Sequence, residues 1–299
     1  MPGPLKIGGL IVLGIALAGV IAAVGIYGLT RLRLTANVSA PTDPIDIPTD
    51  IAAIQRGQHI AGAIAVCTQC HGPTLSGGVV FDNALGRVVA PNLTGGGVGA
   101  TLSDADFVRA IRYGVDPSGR QLWGMPSDDY NHLSDEDLGA LIAYLRSLPP
   151  TTSTLPESRL SPMGRALFAV GRLDLLPGEG INRAAPRPPP VGVDVSPAYG
   201  EYLATIAGCA RCHGTGLSGG AAPGAPSGTP PAANLTPAGL GNWSEADFIR
   251  AMRTGQRPDG GAIDGSAMPW PYFAQMTDME LSAIWEYLSV LPPRPTGTH

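Results

Sequence analysis

The fold of this chain is decided by the stretch VCTQCHG at residues 66–72, in which two cysteines and a histidine have the spacing Cys-x-x-Cys-His. The same spacing recurs as CARCH at residues 209–213. These two motifs contain all four cysteines of the chain, so no cysteine remains for a disulfide framework. One motif can arise by chance, but two copies inside one longer repeated pattern indicate a duplicated site.

On one helical turn, positions i, i+3 and i+4 share a face, so the two thiols and the imidazole of each motif meet one ligand. This spacing is the signature of covalent c-type haem attachment. We therefore predict two covalently bound haem c groups, with a histidine as the first axial ligand of each iron. The predicted attachment residues are Cys67, Cys70, Cys209 and Cys212, and the predicted histidine ligands are His71 and His213.

Two other uses of paired cysteines fit the sequence less well. A thioredoxin-like Cys-x-x-Cys belongs to a βαβ unit, and the sequence around residues 67–70 has no pattern of that kind. A zinc ribbon needs both cysteine pairs in one small module, whereas these pairs lie far apart in the chain.

The pattern around each motif repeats at a spacing of 141 to 143 residues. The repeated segments are Asn-Leu-Thr at 92–94 and 234–236, Ser-x-Ala-Asp-Phe-x-Arg-Ala at 103–110 and 244–251, Met-Pro at 125–126 and 268–269, and Leu-Pro-Pro at 148–150 and 291–293. Because the spacing drifts so little, we predict two duplicated domains, residues 50–150 and 196–299. Residues 151–195 form a Pro-rich connector that we expect to pack on the domains.

Helix and loop signals fill in the first domain. A helix is predicted to begin near Asp50 and to run to the first motif, followed by a Gly-rich loop over residues 73–101. Ser134 and Asp137 have the spacing of a capping box, which predicts a helix over residues 135–148.

A histidine-ligated haem iron needs a sixth ligand or keeps an open site. The first predicted domain has one methionine, Met125, and Met268 is the methionine of the second domain that aligns with it. We predict Met125 and Met268 as the second axial ligands, because thioether ligation suits electron transfer.

The remaining candidates lack this agreement between the repeats. Met252 and Met276 align with apolar positions typical of a core, and Met279 aligns with a position typical of the surface. Since neither His59 nor His132 has a histidine counterpart, we reject bis-histidine ligation. The pairs in this comparison are His59 with Leu203 and His132 with Gln275.

Two further repeated features have alternative interpretations. Arg109 and Arg250 align, and they either pair with haem propionates or are solvated. The Asn-Leu-Thr segments also fit the glycosylation sequon, but their duplication together with the motif favours a loop beside the haem.

The N-terminal residues 7–29 carry no charge and are long enough to span a bilayer. We predict a retained anchor over residues 1–34 and a polar, Pro-rich tether over residues 35–49. A cleaved signal peptide is the alternative, but the apolar stretch exceeds the length of a signal h-region. Since c-type haem is attached outside the cytoplasm, the predicted location is the bacterial inner membrane, single-pass, with the haem domains on the periplasmic side.

The order of these motifs resembles that of class I-type cytochrome c domains. The match covers residues 50–150 and 196–293 and is most similar to membrane-bound cytochrome subunits of bacterial alcohol and gluconate dehydrogenases and to related dihaem cytochromes. The resemblance implies an all-α fold of two tandem class I-type cytochrome c domains behind an N-terminal transmembrane helix. Those subunits usually carry three haem domains and a C-terminal anchor, whereas this sequence has two and an N-terminal anchor.

These features predict an electron carrier and not an enzyme. The expected function is transfer of single electrons between a donor and an acceptor of a respiratory or photosynthetic chain. The expected partners are the membrane and redox proteins, with no small-molecule substrate, and the net charge of −5 does not suggest nucleic acid. The alternatives are the electron-accepting subunit of a membrane-bound dehydrogenase, a dihaem peroxidase with one open iron site, and a structural subunit with idle haems.

Overall fold

A computed structural model gives the fold of residues 4–221 and 228–298. The predicted anchor and second domain reach beyond these ranges, and their residues 1–3, 222–227 and 299 lie outside the described residues. The elements of the first half are α1 (Pro4–Leu34), α2 (Ile51–His59), a π-helical turn (Ile60–Ile64), α3 (Cys67–His71), β1 (Gly78–Asn83), β2 (Gly86–Ala90), a 3-10 turn (Val98–Ala100), α4 (Asp104–Tyr113), α5 (Ser127–Tyr130) and α6 (Asp135–Ser147). The connector holds β3 (Arg159–Leu160), α7 (Pro162–Ala169) and a 3-10 turn (Pro177–Gly180). The second half holds α8 (Pro197–Ile206), α9 (Cys209–His213), α10 (Pro237–Leu240), α11 (Glu245–Thr254), α12 (Trp270–Phe273) and α13 (Asp278–Ser289).

Each half is built on a pair of helices that cross at a glycine. Helix α2 packs on α6, and α8 packs on α13. A β-carbon on Gly57 would lie 2.0 Å from the carbonyl oxygen of Ala140, and one on Gly200 would lie 1.9 Å from that of Ala283. Since no side chain fits at such distances, the repeated glycine sets the approach of both helix pairs.

We expect Gly57→Ala to lower the free energy of unfolding by about 3 kcal/mol, because a backbone carbonyl cannot rotate away from an added methyl group. Thermal unfolding of the haem-loaded, full-length protein, followed by circular dichroism, measures the loss. Gly62→Ala is the matched control, since outside its own helical turn no atom lies within 4 Å of the β-carbon that it adds. Equal melting temperatures for the two variants would contradict the close crossing.

The π-helical turn accommodates one extra residue in the first half. Ten positions separate Gly57 from Cys67, but nine separate Gly200 from Cys209. A π-helical turn absorbs an inserted residue without breaking the helix, and such a turn directly follows α2. The alignment of His59 with Leu203 made from the sequence is therefore wrong by one position. Counted from the two glycines, the counterpart of His59 is Tyr202, which is not a histidine either.

The chain is mostly helical, but the structure corrects the expected all-α fold. Strands β1, β2 and β3 form a three-stranded antiparallel sheet in that order. The sheet lies where a Gly-rich loop is predicted, and the connector supplies its third strand. The segment VVF before the turn and RVV after it carry the β-branched residues that favour such a hairpin.

The predicted capping box at the start of α6 forms only in part. The Ser134 side chain accepts a hydrogen bond from the backbone N–H of Asp137, as expected. The Asp137 carboxylate does not close the box, because it accepts two hydrogen bonds of 2.8 Å from Arg56. In α13 the equivalent box does close, between Thr277 and Glu280.

The two halves meet across a largely buried polar network. Arg56 bridges Asp137 of its own half and Glu280 of the other half, the latter at 2.9 Å. The Nε2 atom of His59 lies 2.7 Å from Glu280, and the Tyr202 hydroxyl donates to Asp137 at 2.7 Å. Asp137 and Glu280 are equivalent positions of the two repeats, and each carboxylate is bound by a residue from the opposite half. An interface with twofold symmetry has the same arrangement.

Helix α1 is apolar and exposed over most of its length, and residues 8–34 are long and apolar enough to cross a membrane. Its C-terminal end is packed on the connector. Arg165 donates to the Thr30 hydroxyl at 3.0 Å, and Arg33 forms an ion pair with Glu179. The segment predicted as a tether is also bound to the first half, since the Tyr113 hydroxyl donates to Asp43 at 2.5 Å.

Candidate haem sites

The first site is a cavity of about 450 Å³ with a largely apolar wall. Cys67, Cys70, His71 and Met125 all line it, so the structure brings the four predicted residues of the first half together. The C-terminal end of α1 also reaches the cavity, through Leu34. This volume is in the range of pockets that hold cofactors.

Both motifs form one short helical turn between two residues with positive φ angles. Val66 and Gly208 precede the turns at φ values of 49° and 69°, and Gly72 and Gly214 follow them at 77°. The left-handed residues isolate α3 and α9 from the preceding helices, which leaves both thiols of each motif on one face. The local backbone is therefore the same in both halves.

Each motif histidine is oriented by one backbone carbonyl. The Nδ1 atom of His71 lies 2.8 Å from the Pro91 oxygen, and that of His213 lies 2.8 Å from the Ala233 oxygen. When Nδ1 carries the proton and donates it to the carbonyl, Nε2 keeps a free lone pair. A histidine that binds a metal through Nε2 requires this tautomer. Sequence reasoning missed both carbonyls, although each follows its histidine by the same 20 residues.

The Asn-Leu-Thr segments hold these carbonyls in place. Asn92 is buried, accepts hydrogen bonds from the N–H and hydroxyl of Thr94, and donates its amide to the Thr151 carbonyl at 2.6 Å. Asn234 and Thr236 form the same bonds in the second half. A glycan would need the amide nitrogen that these asparagines use inside the protein, so the structure favours the loop beside the haem.

The electrostatic environment suits an apolar ligand with a metal at its centre. Burial raises the pKa of the Cys67 and Cys209 thiols to about 12. Burial also lowers the pKa of His71 and His213, against the opposing effect of their carbonyl partners, so the neutral imidazole is favoured. Two thiols, a neutral imidazole and a thioether on one apolar wall fit a haem c in the first cavity.

The methionines and histidines that the comparison of the repeats set aside lie elsewhere. Met252 and Met276 are buried in the core, at 7% and 2% exposure, and Met279 is exposed. His59 binds Glu280 at the interface of the two halves, and His132 is on the surface. Met268 is partly buried against the core, just before α12, as Met125 lies just before α5.

Arg109 and Arg250 each pair with a carboxylate one helical turn earlier, a contact that sequence reasoning did not include. Arg109 contacts Asp106, and Arg250 contacts Asp247 at 2.6 Å. Since Asp106 and Asp247 also cap their helices through Ser103 and Ser244, the arginines are part of the repeated cap.

Comparison with known proteins identifies both halves. The family model "Cytochrome C oxidase, cbb3-type, subunit III" matches residues 52–145, and the model "Cytochrome c" matches residues 198–292. The chain is 31% identical to the fructose dehydrogenase cytochrome subunit of Gluconobacter japonicus, over 86% of this chain and 57% of the relative. It is 30% identical to the cytochrome c subunit of the quinone-type alcohol dehydrogenase of Gluconacetobacter polyoxogenes, over 82% of this chain and 57% of the relative.

The chain thus spans little more than half the length of these dehydrogenase subunits. A "Diheme cytochrome c-type" protein of Cereibacter sphaeroides matches over nearly its whole length, with 30% identity over 91% of this chain and 96% of the relative. Two cytochrome c domains, each with one attachment motif, account for two haem c groups. The chain belongs to the dihaem c-type cytochromes.

Proposed function

We propose that this protein carries single electrons between a donor and an acceptor at a membrane. The observation that carries the proposal is that His71 and Met125 line the same apolar cavity, in a sequence that repeats both residues in its second half. A haem iron with histidine and methionine on its two axial positions exchanges electrons without an open site for substrate. The chain's own contribution is to bind, orient and shield the haems.

The proposed residue roles follow the class I arrangement. The neutral imidazoles of His71 and His213, oriented by the Pro91 and Ala233 carbonyls, would each be one ligand of an iron. Met125 and Met268 would be the second ligands. The proposed thioether attachments are through Cys67, Cys70, Cys209 and Cys212, within domains over residues 50–150 and 196–299, joined by the connector over residues 151–195.

We further propose that α1 is a retained membrane anchor and not a cleaved signal. Three side chains of its C-terminal end support this: Thr30 and Arg33 bind the connector, and Leu34 lines the first cavity. Removal of α1 would take part of the wall of the first site. The proposed location is the bacterial inner membrane, with the domains on the periplasmic side.

A second candidate is the electron-accepting subunit of a membrane-bound dehydrogenase. The similarity of the chain to the cytochrome subunits of alcohol and fructose dehydrogenases favours it. Both candidates use the same chemistry and differ in the donor. A dihaem peroxidase is disfavoured by the repeated methionine, since it needs one iron with an open or exchangeable position.

Purification of the full-length protein in mild detergent, with mass spectrometry of its companions, separates the candidates. Co-purification with an oxidase, a quinol-oxidising complex or a reaction centre supports the respiratory or photosynthetic carrier. Co-purification with a large quinoprotein or flavoprotein supports the dehydrogenase subunit. Turnover of hydrogen peroxide by the purified protein would contradict both.

A further inference from the structure

The two haem sites are joined by an ion pair between the attachment motif of one half and the methionine loop of the other. Arg211 lies between the two cysteines of the second motif, and Asp128 and Asp129 follow Met125 closely in sequence. The Arg211 Nε atom donates to the Asp129 carboxylate at 2.5 Å, and the guanidinium also contacts Asp128. Asp128 is three positions after Met125 in the sequence, and Arg211 is directly followed by Cys212.

The duplication does not account for this contact. In the first motif Gln69 takes the place of Arg211. In the second methionine loop Pro271 and Tyr272 take the places of the two aspartates, since α5 and α12 begin two residues after their methionines. The charges occur only on the two surfaces that face each other, and the equivalent positions of the other surfaces are uncharged. The repeats have therefore diverged in a complementary way.

The backbone of the second motif is also adapted to this contact. Gly208 has a φ of 69°, and a β-carbon there would lie 2.8 Å from the Asp129 carboxylate. Its counterpart Val66 has the same left-handed conformation with a full side chain. Glycine at position 208 therefore lets the methionine loop of the first half approach the attachment turn of the second.

The ion pair is partly shielded from solvent. The Arg211 side chain is 34% exposed and that of Asp129 is 16% exposed. Burial raises the pKa of Asp129 to about 6, although the charge of Arg211 acts in the opposite direction. Shielding reduces screening by salt, so the contact holds the two segments together more firmly than a surface pair does.

We propose that Arg211 is a positioning residue for electron transfer between the two haems, because it holds the Met125 loop of the first site on the attachment turn of the second. The inference rests on the proposed function, in which both haems exchange electrons. The step moves one electron from one iron to the other, so one iron is oxidised and the other reduced, and no further reactant is needed. The path from Met125 through Asp128 and Arg211 to Cys212 stays short only while the ion pair is made.

The test replaces Arg211 with the residue of the first repeat, Arg211→Gln. Exchange spectroscopy by NMR on half-reduced, full-length protein in detergent measures the concentration-independent rate of electron exchange between the haems. We expect this rate to fall about tenfold, because removing one partner of a partly buried ion pair weakens the contact by about that factor and the two segments then separate. The charge-transfer absorbance of both methionine-ligated haems should stay unchanged. Arg211→Lys keeps the charge without the planar guanidinium. Its exchange rate should lie between the rates of the wild type and Arg211→Gln.

Arg250→Gln is the matched control, since it removes the same charge from an ion pair with Asp247 inside the second half. If Arg211→Gln fails to incorporate haem, Asp128→Asn tests the same ion pair by changing its more exposed partner. The Asp128 side chain is 41% exposed. An unchanged exchange rate in the folded variant, or an equal loss in Arg250→Gln, overturns the proposal. Haems that cannot be reduced at all in the wild-type protein would instead refute the proposed function.

Discussion

Met125→Ala should remove about half of the methionine-to-iron charge-transfer absorbance of the oxidised protein and leave the other haem unchanged. The midpoint potential of the affected haem should fall by on the order of 0.1 V, because thioether ligation raises the potential of a haem iron. The expectation follows from the position of Met125 on the cavity wall that also holds His71. Absorbance spectroscopy and a redox titration of the purified variant measure both effects.

The repeat supplies the companion variants. Met268→Ala should affect the second haem in the same way, and the double variant should lose the charge-transfer absorbance altogether. Met279→Ala is the control, since this methionine is exposed and lies in the helix α13. Survival of the full signal in Met125→Ala would show that another group ligates the first iron.

Glu280→Gln should destabilise the association of the two domains by about 3 kcal/mol, because it leaves Arg56 and His59 at a shielded interface without their shared carboxylate. Glu280 is 1% exposed and accepts hydrogen bonds from the Thr277 backbone and from Arg56. Small-angle scattering and thermal unfolding of the haem-loaded protein report the loosening. Asp278→Asn is the control, since that carboxylate lies in the same helix but is 83% exposed.

The same carboxylate makes the interface sensitive to acid. Burial alone would raise the pKa of Glu280, but the hydrogen bonds from His59 and Thr277 and the charges of His59 and Arg56 hold the pKa at about 2, below its usual 4.5. A carboxyl group whose pKa is lowered by folding stabilises the folded state when the pH is above its usual pKa. This stabilisation is lost as the pH falls through the lowered pKa. Wild-type stability should therefore fall between about pH 4.5 and pH 2, and Glu280→Gln should lose most of this dependence. A variant with the wild-type pH profile would contradict the assignment.

The sequence was informative wherever a residue type is tied to one chemical task. The two Cys-x-x-Cys-His motifs predicted two haem c groups, and the repeated spacing predicted the two cytochrome c domains found by comparison. The cap Ser134 begins a helix where expected, because a hydroxyl before a helix satisfies free backbone N–H groups. Such signals are local and need no knowledge of the rest of the fold.

Features that depend on contacts between distant segments were missed. The third strand of the sheet comes from the connector, so no single stretch shows the whole sheet. Asp137 has the sequence of a capping box, yet its carboxylate is taken by Arg56, 81 residues away. The pair of Arg211 with Asp129 joins the two halves at a sequence separation of 82 residues, which no periodicity reveals. The sequence shows that Arg211 replaces Gln69 of the first repeat, but it does not show that the partner of Arg211 lies in the other half.

Carbon monoxide binding to the fully reduced, full-length protein tests the central claim of two matched histidine–methionine sites most directly. We predict that neither haem binds carbon monoxide on the time scale of rapid mixing, because in the proposed arrangement Met125 and Met268 fill the remaining ligand position of each iron. Rapid binding at one haem, together with loss of half of the charge-transfer absorbance in the oxidised protein, would contradict the claim. It would show an open iron site and favour an enzyme over an electron carrier.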